Sequence, residues 1–180
     1  MKKMPWEEFP HIWKNKTAFM TYLRGCLRKA WSRNPIKHEV IKKRRYKIPN
    51  PNPRGRAKTV WGFQCEMCRE EFVMSNCQVD HINPAGKLND VKDIQGFVER
   101  LLVVTEDDLR LCCKGCNSAL SMSDRYGITY EEAIIRKDII EFGKNTLTDM
   151  NKKFEEIGIG KVRSRAEGKR EYEKYIREGL

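Results

Sequence analysis

Apolar residues recur at helical spacing in the first part of the chain, with cations between them. This pattern predicts an amphipathic helix over residues 17–33, which Pro35 ends. A second, basic helix is predicted over residues 36–47. Residues 49–56 hold three prolines and one glycine in eight positions, which predicts an extended linker. The apolar stripe of the first helix is Phe19, Met20, Leu23, Cys26, Leu27, Ala30 and Trp31.

The middle of the chain mixes short strands with helices. Residues 61–72 predict a short pair of strands around a Cys-x-x-Cys turn, and residues 78–82 predict a strand that ends before an Asn-Pro-Ala-Gly turn. Residues 90–103 have the spacing of an amphipathic helix. Residues 109–126 predict a strand that runs directly into a helix.

Helical patterns fill the chain beyond Gly127. Thr129 opens a capping-box pattern with Glu132, and Ser164 opens another with Glu167. Between them, an apolar stripe formed by Leu147, Met150, Phe154 and Ile157 is closed by Gly158. The last helix is polar apart from Tyr172, Tyr175 and Ile176, so we expect it to dock on a partner or to fray.

Composition narrows the class of protein. The 180 residues are 39% hydrophobic and 34% charged, and no run of 18 apolar residues occurs, so a membrane-spanning helix is excluded. The first 16 residues lack the apolar segment of a secretory signal, and we expect a cytoplasmic protein. In a reducing compartment the seven cysteines are expected to be thiols or metal ligands rather than disulfides.

The net charge of +11 is concentrated in the first third of the chain. Residues 1–60 carry +14, residues 61–160 carry −6 and residues 161–180 carry +3. A basic arm beside an acidic body indicates a polyanionic partner such as DNA, and the alternative is a solvated basic surface. The candidate DNA contacts are Arg24, Arg28, Lys29, Arg33, Lys42, Lys43, Arg44, Arg45, Arg54, Arg56 and Lys58.

Two Cys-x-x-Cys units stand 44 residues apart. Cys65 and Cys68 form the first, and Cys113 and Cys116 form the second. Two such turns brought together supply four thiolates in the tetrahedral arrangement that zinc prefers. A redox dithiol and unconnected buried cysteines are the alternatives. Cys112 adjoins a predicted ligand, but Cys113 has the preferred spacing to Cys116.

One histidine lies between the two cysteine pairs. His81 follows Asp80 near the predicted strand end, and Asn117 follows the last cysteine. A base, a carboxylate and an amide oxygen together suit a hard divalent ion with an activatable water. Neighbouring residues of a strand point to opposite faces, so a local distortion or a strand end would be needed for Asp80 and His81 to share a site, and Pro84 and Gly86 favour a strand end. A purely structural histidine is the alternative.

These motifs resemble the HNH endonucleases, a family with the ββα-metal fold, and in particular its zinc-knuckle members common in phages. The resemblance covers residues 61–125 and is carried by the cysteine pairs, by Gln78-Val-Asp-His-Ile82 and by Asp108-Leu-Arg-Leu-Cys-Cys113-Lys-Gly-Cys116-Asn117. It implies that His81 is the general base, and that Asp80 and Asn117 bind a catalytic Mg²⁺ or Mn²⁺. The middle Asn position of the family falls on Asp108, and Leu120-Ser121 stand where many relatives carry Lys-Ser or Lys-Thr.

The resemblance implies an α+β fold with a small ββα-metal core and a structural zinc site, flanked by helical extensions. We expect a basic helical arm and linker over 1–60, the nuclease core over 61–125 and a helical extension over 126–180. The implied activity is metal-dependent hydrolysis of DNA, by nicking or double-strand cleavage, in a host-cell cytoplasm if phage-encoded. A phage protein such as terminase is a further expected partner. The alternative is a zinc-stabilised DNA-binding module that does not cleave.

Overall fold

Residues 3–52 and 54–179 are described by a computed structural model, in which the chain falls into two units, Met1–Lys114 and Gly115–Leu180. The α-helices are α1 Pro5–Glu8, α2 Lys16–Ser32, α3 Pro35–Arg44, α4 Ile94–Leu102, α5 Lys114–Tyr126, α6 Tyr130–Phe142, α7 Leu147–Glu156 and α8 Arg165–Glu178. The strands are β1 Tyr46–Pro49, β2 Thr59–Gln64, β3 Glu71–Val73, β4 Cys77–His81 and β5 Leu109–Cys113. Short 3₁₀ turns span Met74–Asn76, Val91–Asp93 and Glu106–Asp108.

The helix predicted over residues 17–33 is α2. Asn15 caps it by accepting a hydrogen bond from the Ala18 N–H, which satisfies one of the amides left without a partner at a helix start. Its apolar stripe packs on α4, and the buried centre of this cluster is formed by Met20, Leu88, Phe97 and Leu101. The stripe of the basic arm therefore belongs to a core, because burying it removes apolar surface from water.

Residues 46–49 are a strand, which corrects the predictions of a helix to residue 47 and of a linker after it. β1 pairs antiparallel with β2, with Ile48 opposite Val60, and β2 pairs in turn with β3. The Pro-rich segment is thus the connection of a β-hairpin rather than a spacer between domains. Ile48 is buried in this sheet, and Gly62 leaves room for its side chain, since a Cβ at Gly62 would lie 2.5 Å from Ile48 Cδ1.

A second, two-stranded sheet is formed by β4 and β5. They are antiparallel, with Asp80 opposite Arg110 and His81 opposite Leu109. β5 runs directly into α5, as the sequence predicted for residues 109–126. The chain therefore contains the order strand, strand, helix, with a 27-residue excursion that carries α4 between the two strands.

The second unit has its own core, built by α6, α7 and α8. Its buried members are Ile139, Phe142, Met150, Phe154, Val162 and Tyr172. Thr129, Thr146 and Ser164 cap the three helices through their side-chain oxygens. The last helix neither frays nor leaves its aromatic residues to a partner, which corrects the prediction: Tyr172 is buried in the core of this unit and stacks on Phe142 with ring centroids 3.8 Å apart.

The two units differ from the three segments predicted from sequence. Residues 1–60 and the cysteine-rich centre form one unit because β1 pairs with β2 and α2 packs on α4. The boundary falls at the first turn of α5 rather than after residue 125. Among the described residues, 3–52 and 54–179, no helix combines the length and the hydrophobicity of a membrane span.

Candidate metal centre and strand-end site

Four cysteines come together as the spacing predicted. The sulfur atoms of Cys65, Cys68, Cys113 and Cys116 all lie within 4.8 Å of one another. Cys65, Cys113 and Cys116 are buried, and Cys68 is the most accessible of the four. Cys116 lies on the first turn of α5, directly after β5, so the second pair sits at a strand-to-helix junction. Such a cluster could hold a metal ion.

The first pair lies on a tight turn between β2 and β3. The Cys65 N–H donates to the Glu70 carbonyl, and the Arg69 N–H donates to the Cys65 carbonyl, both at 2.9 Å. Arg69 closes this turn with a φ of 64°, in the left-handed region that a side chain rarely adopts. The turn therefore holds the two thiols on one side by backbone hydrogen bonds.

The pKa of the thiol distinguishes Cys65, which belongs to the cluster, from Cys77 and Cys112, which do not. Burial opposes ionisation of Cys65, but hydrogen bonds from N–H groups of its own turn and of Cys113 outweigh it and lower the pKa of its thiol to about 7. Burial raises the pKa of Cys77 to about 11 and that of Cys112 to about 12. Cys112 and Cys77 are therefore neutral thiols at neutral pH, and the choice of Cys113 over Cys112 is confirmed by the cluster.

Glu66 fastens the first cysteine turn to β5, a role that the sequence analysis missed. Its N–H donates to the Leu111 carbonyl at 2.9 Å, and its Oε1 accepts from the Leu111 N–H at 2.8 Å. Arg44 of α3 donates to the same Oε1 at 2.9 Å. A carboxylate inside a Cys-x-x-Cys turn was visible in the sequence, but its partners lie 22 and 45 residues away.

Asp80 is engaged by an arginine of the neighbouring strand. Its Oδ2 accepts from Arg110 Nε at 2.9 Å and from Nη2 at 2.7 Å, and both side chains are largely buried. Asn117 follows Cys116 on α5, where its carbonyl accepts a hydrogen bond from Ser121 Oγ. The pairing of Asp80 and Asn117 around one divalent ion stays a prediction.

His81 is held by a different set of neighbours. Its Nε2 lies 3.1 Å from the Leu101 carbonyl oxygen, and its ring lies against Trp31 with centroids 4.3 Å apart. A carbonyl only accepts hydrogen bonds, so Nε2 carries the proton in this contact. That tautomer leaves the lone pair of Nδ1 available as a proton acceptor.

Asp80 and His81 do not share a partner. The β4–β5 register runs regularly through His81, so the two neighbouring side chains take opposite faces of the strand, one towards Arg110 and the other towards Leu101. The pairing with β5 stays regular up to His81, which is the last residue of β4, so the predicted strand end falls at His81 itself.

Asp108 stands at the end of the turn before β5. Its Oδ2 accepts from the Thr105 N–H at 2.7 Å and from Thr105 Oγ1 at 2.8 Å, and its own carbonyl accepts from the Ile82 N–H. The Thr105 hydrogen bonds, and to a lesser extent the charge of His81, lower the pKa of this carboxyl. Asp108 therefore braces the loop as an acceptor and adds negative charge near His81.

Three of the predicted DNA contacts are bonded within the protein. Arg24 donates to the Leu88 carbonyl at 2.8 Å, Lys43 pairs with Glu106, and Arg44 donates to the Glu106 carbonyl at 2.8 Å. These three cations are therefore bonded to acceptors within the protein. Among the other predicted contacts, the exposed side chains are those of Arg28, Lys29, Arg33, Lys42, Arg54, Arg56 and Lys58.

Comparison with protein-family models, with curated proteins and with solved structures gave no match to this chain.

Proposed function

We propose that the chain is a metal-dependent DNA endonuclease of the HNH type, which hydrolyses phosphodiester bonds. The proposal is supported by the order β4, β5, α5, by the cysteine cluster at the β5–α5 junction and by the basic first third of the chain. The observation that carries it is the hydrogen bond between His81 Nε2 and the Leu101 carbonyl.

This hydrogen bond equips His81 to act as a general base. The carbonyl fixes the ring orientation and the tautomer, which leaves Nδ1 to take a proton from an attacking water. Asp108 holds the neighbouring loop against this strand end, because its carbonyl accepts a hydrogen bond from the Ile82 N–H. Trp31 covers the ring and limits its rotation.

The cysteine cluster fits a structural zinc ion. Zn–S bonds of about 2.3 Å in a tetrahedron place sulfur atoms roughly 3.8 Å apart, which agrees with four sulfurs within 4.8 Å. The lowered thiol pKa of Cys65 favours the thiolate that a metal binds. Cys116→Ser should lose about one zinc per chain and much of its folding stability, whereas the exposed Cys26→Ser should lose neither, as measured by metal analysis and thermal unfolding.

A second, catalytic metal ion is part of the proposal. Asp80 and Asn117 offer a carboxylate and an amide oxygen, the hard ligands that Mg²⁺ or Mn²⁺ prefers. Such an ion, when bound, supplies charge stabilisation at the phosphate. Asp80 would have to share its carboxylate with Arg110, whose two hydrogen bonds both end on Oδ2.

Plasmid cleavage tests the proposed activity. Wild-type protein is compared with His81→Ala, in added Mg²⁺, in added Mn²⁺ and without added divalent ion. The loss of a general base should lower the rate by about 100-fold or more while the affinity for DNA is kept. His38→Ala removes an exposed histidine of α3 and is the matched control. Cleavage by His81→Ala at the wild-type rate contradicts the assignment of the base.

A DNA-binding module that does not cleave is the second candidate, and the Asp80–Arg110 ion pair favours it. A carboxylate neutralised by arginine is a poorer ligand for a cation than a free one. Under this alternative the wild type binds DNA, holds zinc and leaves plasmid intact at every metal tested.

A further inference from the structure

Cations are concentrated between the end of α3 and the first cysteine turn, a segment that contains the hairpin of β1 and β2. Residues 40–65 hold eight Lys and Arg residues and no Asp or Glu. Two of the eight, Lys43 and Arg44, are bonded to acceptors elsewhere in the chain. The other cations belong to the hairpin strands, to its connecting loop or to the adjoining helix end.

Two asparagines make hydrogen bonds within the described part of the loop between the strands, residues 50–52 and 54–58. Asn50 pairs with the opposite side of the loop, donating from its N–H to the Lys58 carbonyl at 3.0 Å and from Nδ2 to the Ala57 carbonyl at 2.8 Å. Asn52 Oδ1 accepts from the Arg54 N–H at 3.0 Å. Arg54, Lys58 and the intervening Arg56 are exposed, so a braced loop presents three cations to solvent.

One face of the hairpin carries an exposed indole covered by cations. Trp61 lies opposite Lys47 in the register and is 42% exposed. The guanidinium of Arg45 and the ammonium of Lys47 lie over its ring, 4.3 and 4.2 Å from the centroid. Because cations use the ring, it is not an open stacking platform for an unpaired base, which favours a partner that offers phosphates rather than bases.

We infer that the β1–β2 hairpin is a docking surface for duplex DNA. A two-stranded antiparallel ribbon fits the major groove, whose width is about 12 Å, and cations along the ribbon neutralise the flanking phosphates. Arg54, Arg56 and Lys58 contact phosphates from the loop, Lys47 contacts them from β1, and Arg45 contacts them from the position just before β1. The inference rests on the proposed function only in taking DNA as the partner, since binding by the hairpin needs no cleavage.

The test measures the salt dependence of DNA affinity with the full chain. Fluorescence anisotropy follows a labelled duplex without added divalent ion, in a series of salt concentrations. In the variant R54Q/R56Q/K58Q, the loss of three phosphate contacts should lower the log–log slope by about 2.7. Between 50 and 200 mM salt, the ratio of wild-type to variant affinity should therefore shrink about 40-fold.

Two further variants separate the hairpin from general charge. K152Q/K153Q/K161Q removes three exposed cations of the second unit and should keep the wild-type slope. R54K/R56K keeps the loop charge and should also keep it, because phosphate contacts depend on charge. Thermal unfolding and metal content, equal to those of the wild type, show that the variants fold.

Each outcome decides the inference. A wild-type slope in R54Q/R56Q/K58Q overturns it and leaves the proposed nuclease standing, as does an equal loss in K152Q/K153Q/K161Q. Binding of a single strand of the same sequence as tightly as the duplex also overturns it. A wild type that binds no duplex overturns both the hairpin surface and DNA as the substrate. If only R54Q/R56Q/K58Q has a reduced slope and His81→Ala does not cleave plasmid, the hairpin surface and the proposed nuclease are both supported.

Discussion

Replacing Arg44 by alanine is expected to destabilise the first unit far more than removing Lys42, an exposed cation two residues earlier on the same helix. Sequence analysis placed both among the DNA contacts. In the structure, Arg44 donates to Glu66 Oε1 at 2.9 Å and to the carbonyls of Leu109 and Glu106 at 2.8 Å each. It therefore joins α3 to the first cysteine turn and to the start of β5.

The magnitude follows from these three bonds. Each contributes about 1 kcal/mol net, and the ion pair with Glu66 contributes no more than that, because the two side chains are 31% and 37% exposed. The rotamer freedom of the long side chain, which alanine does not lose, offsets about 1 kcal/mol of the total. Arg44→Ala should therefore cost about 2 kcal/mol of unfolding free energy, and Lys42→Ala less than about 0.5 kcal/mol.

Urea denaturation followed by circular dichroism, with zinc held at one saturating concentration, measures both values. The two variants remove one positive charge each, so long-range electrostatics are matched. Equal stability of Arg44→Ala and Lys42→Ala would refute the structural role. If Arg44→Ala also lowered the salt slope of DNA binding without loss of stability, Arg44 would be a phosphate contact after all.

Two further predictions concern glycine and acid stability. Gly168→Ala should destabilise the second unit, because the new Cβ would lie 2.9 Å from Met150 Sδ. Gly25→Ala should instead stabilise α2 by about 0.5–1 kcal/mol, because nothing lies within 4 Å of the new Cβ. Thermal unfolding of the two variants should show changes of opposite sign. Arg177, bonded to both carboxylate oxygens of Glu132, lowers the pKa of that carboxyl to about 2. A carboxyl whose pKa is lowered in the folded state stabilises the fold at pH above its unfolded pKa of 4.5, and this contribution is lost as pH falls through about 2. In Glu132→Gln the free energy of unfolding should therefore depend less on pH between 4.5 and 2 than in the wild type. An unchanged pH dependence in this range would contradict the prediction.

Local signals in the sequence predicted much of the architecture. Cys-x-x-Cys spacing identified the four clustered cysteines because such a turn holds its two thiols close by short-range geometry alone. Apolar periodicity located α2, and the side-chain caps located the starts of α6 and α8. These features depend on residues a few positions apart, which a sequence displays directly.

Contacts between residues far apart in the chain could not be predicted from the sequence. Residues 46–49 form a strand only because β2 lies beside them, and the flanking prolines suggested a spacer instead. Arg44 looked like a DNA contact since its acceptors lie 22 to 65 positions away. The separation of Asp80 from His81 likewise follows from the β4–β5 register, which strand alternation raised as an obstacle without deciding it.

The hydrogen bonds between Glu66 and Leu111 connect the first cysteine turn to the sheet of β4 and β5. Leu111 offers its N–H and carbonyl to Glu66 while its strand pairs with β4 on the other edge, opposite Val79. Binding of the proposed zinc by the thiols and alignment of β4 against β5 are then thermodynamically linked, and linkage is reciprocal. Any substitution that loosens this alignment should weaken the affinity of the cluster for zinc, even far from sulfur. Conversely, removal of zinc by a chelator should destabilise the pairing of the strand that carries His81.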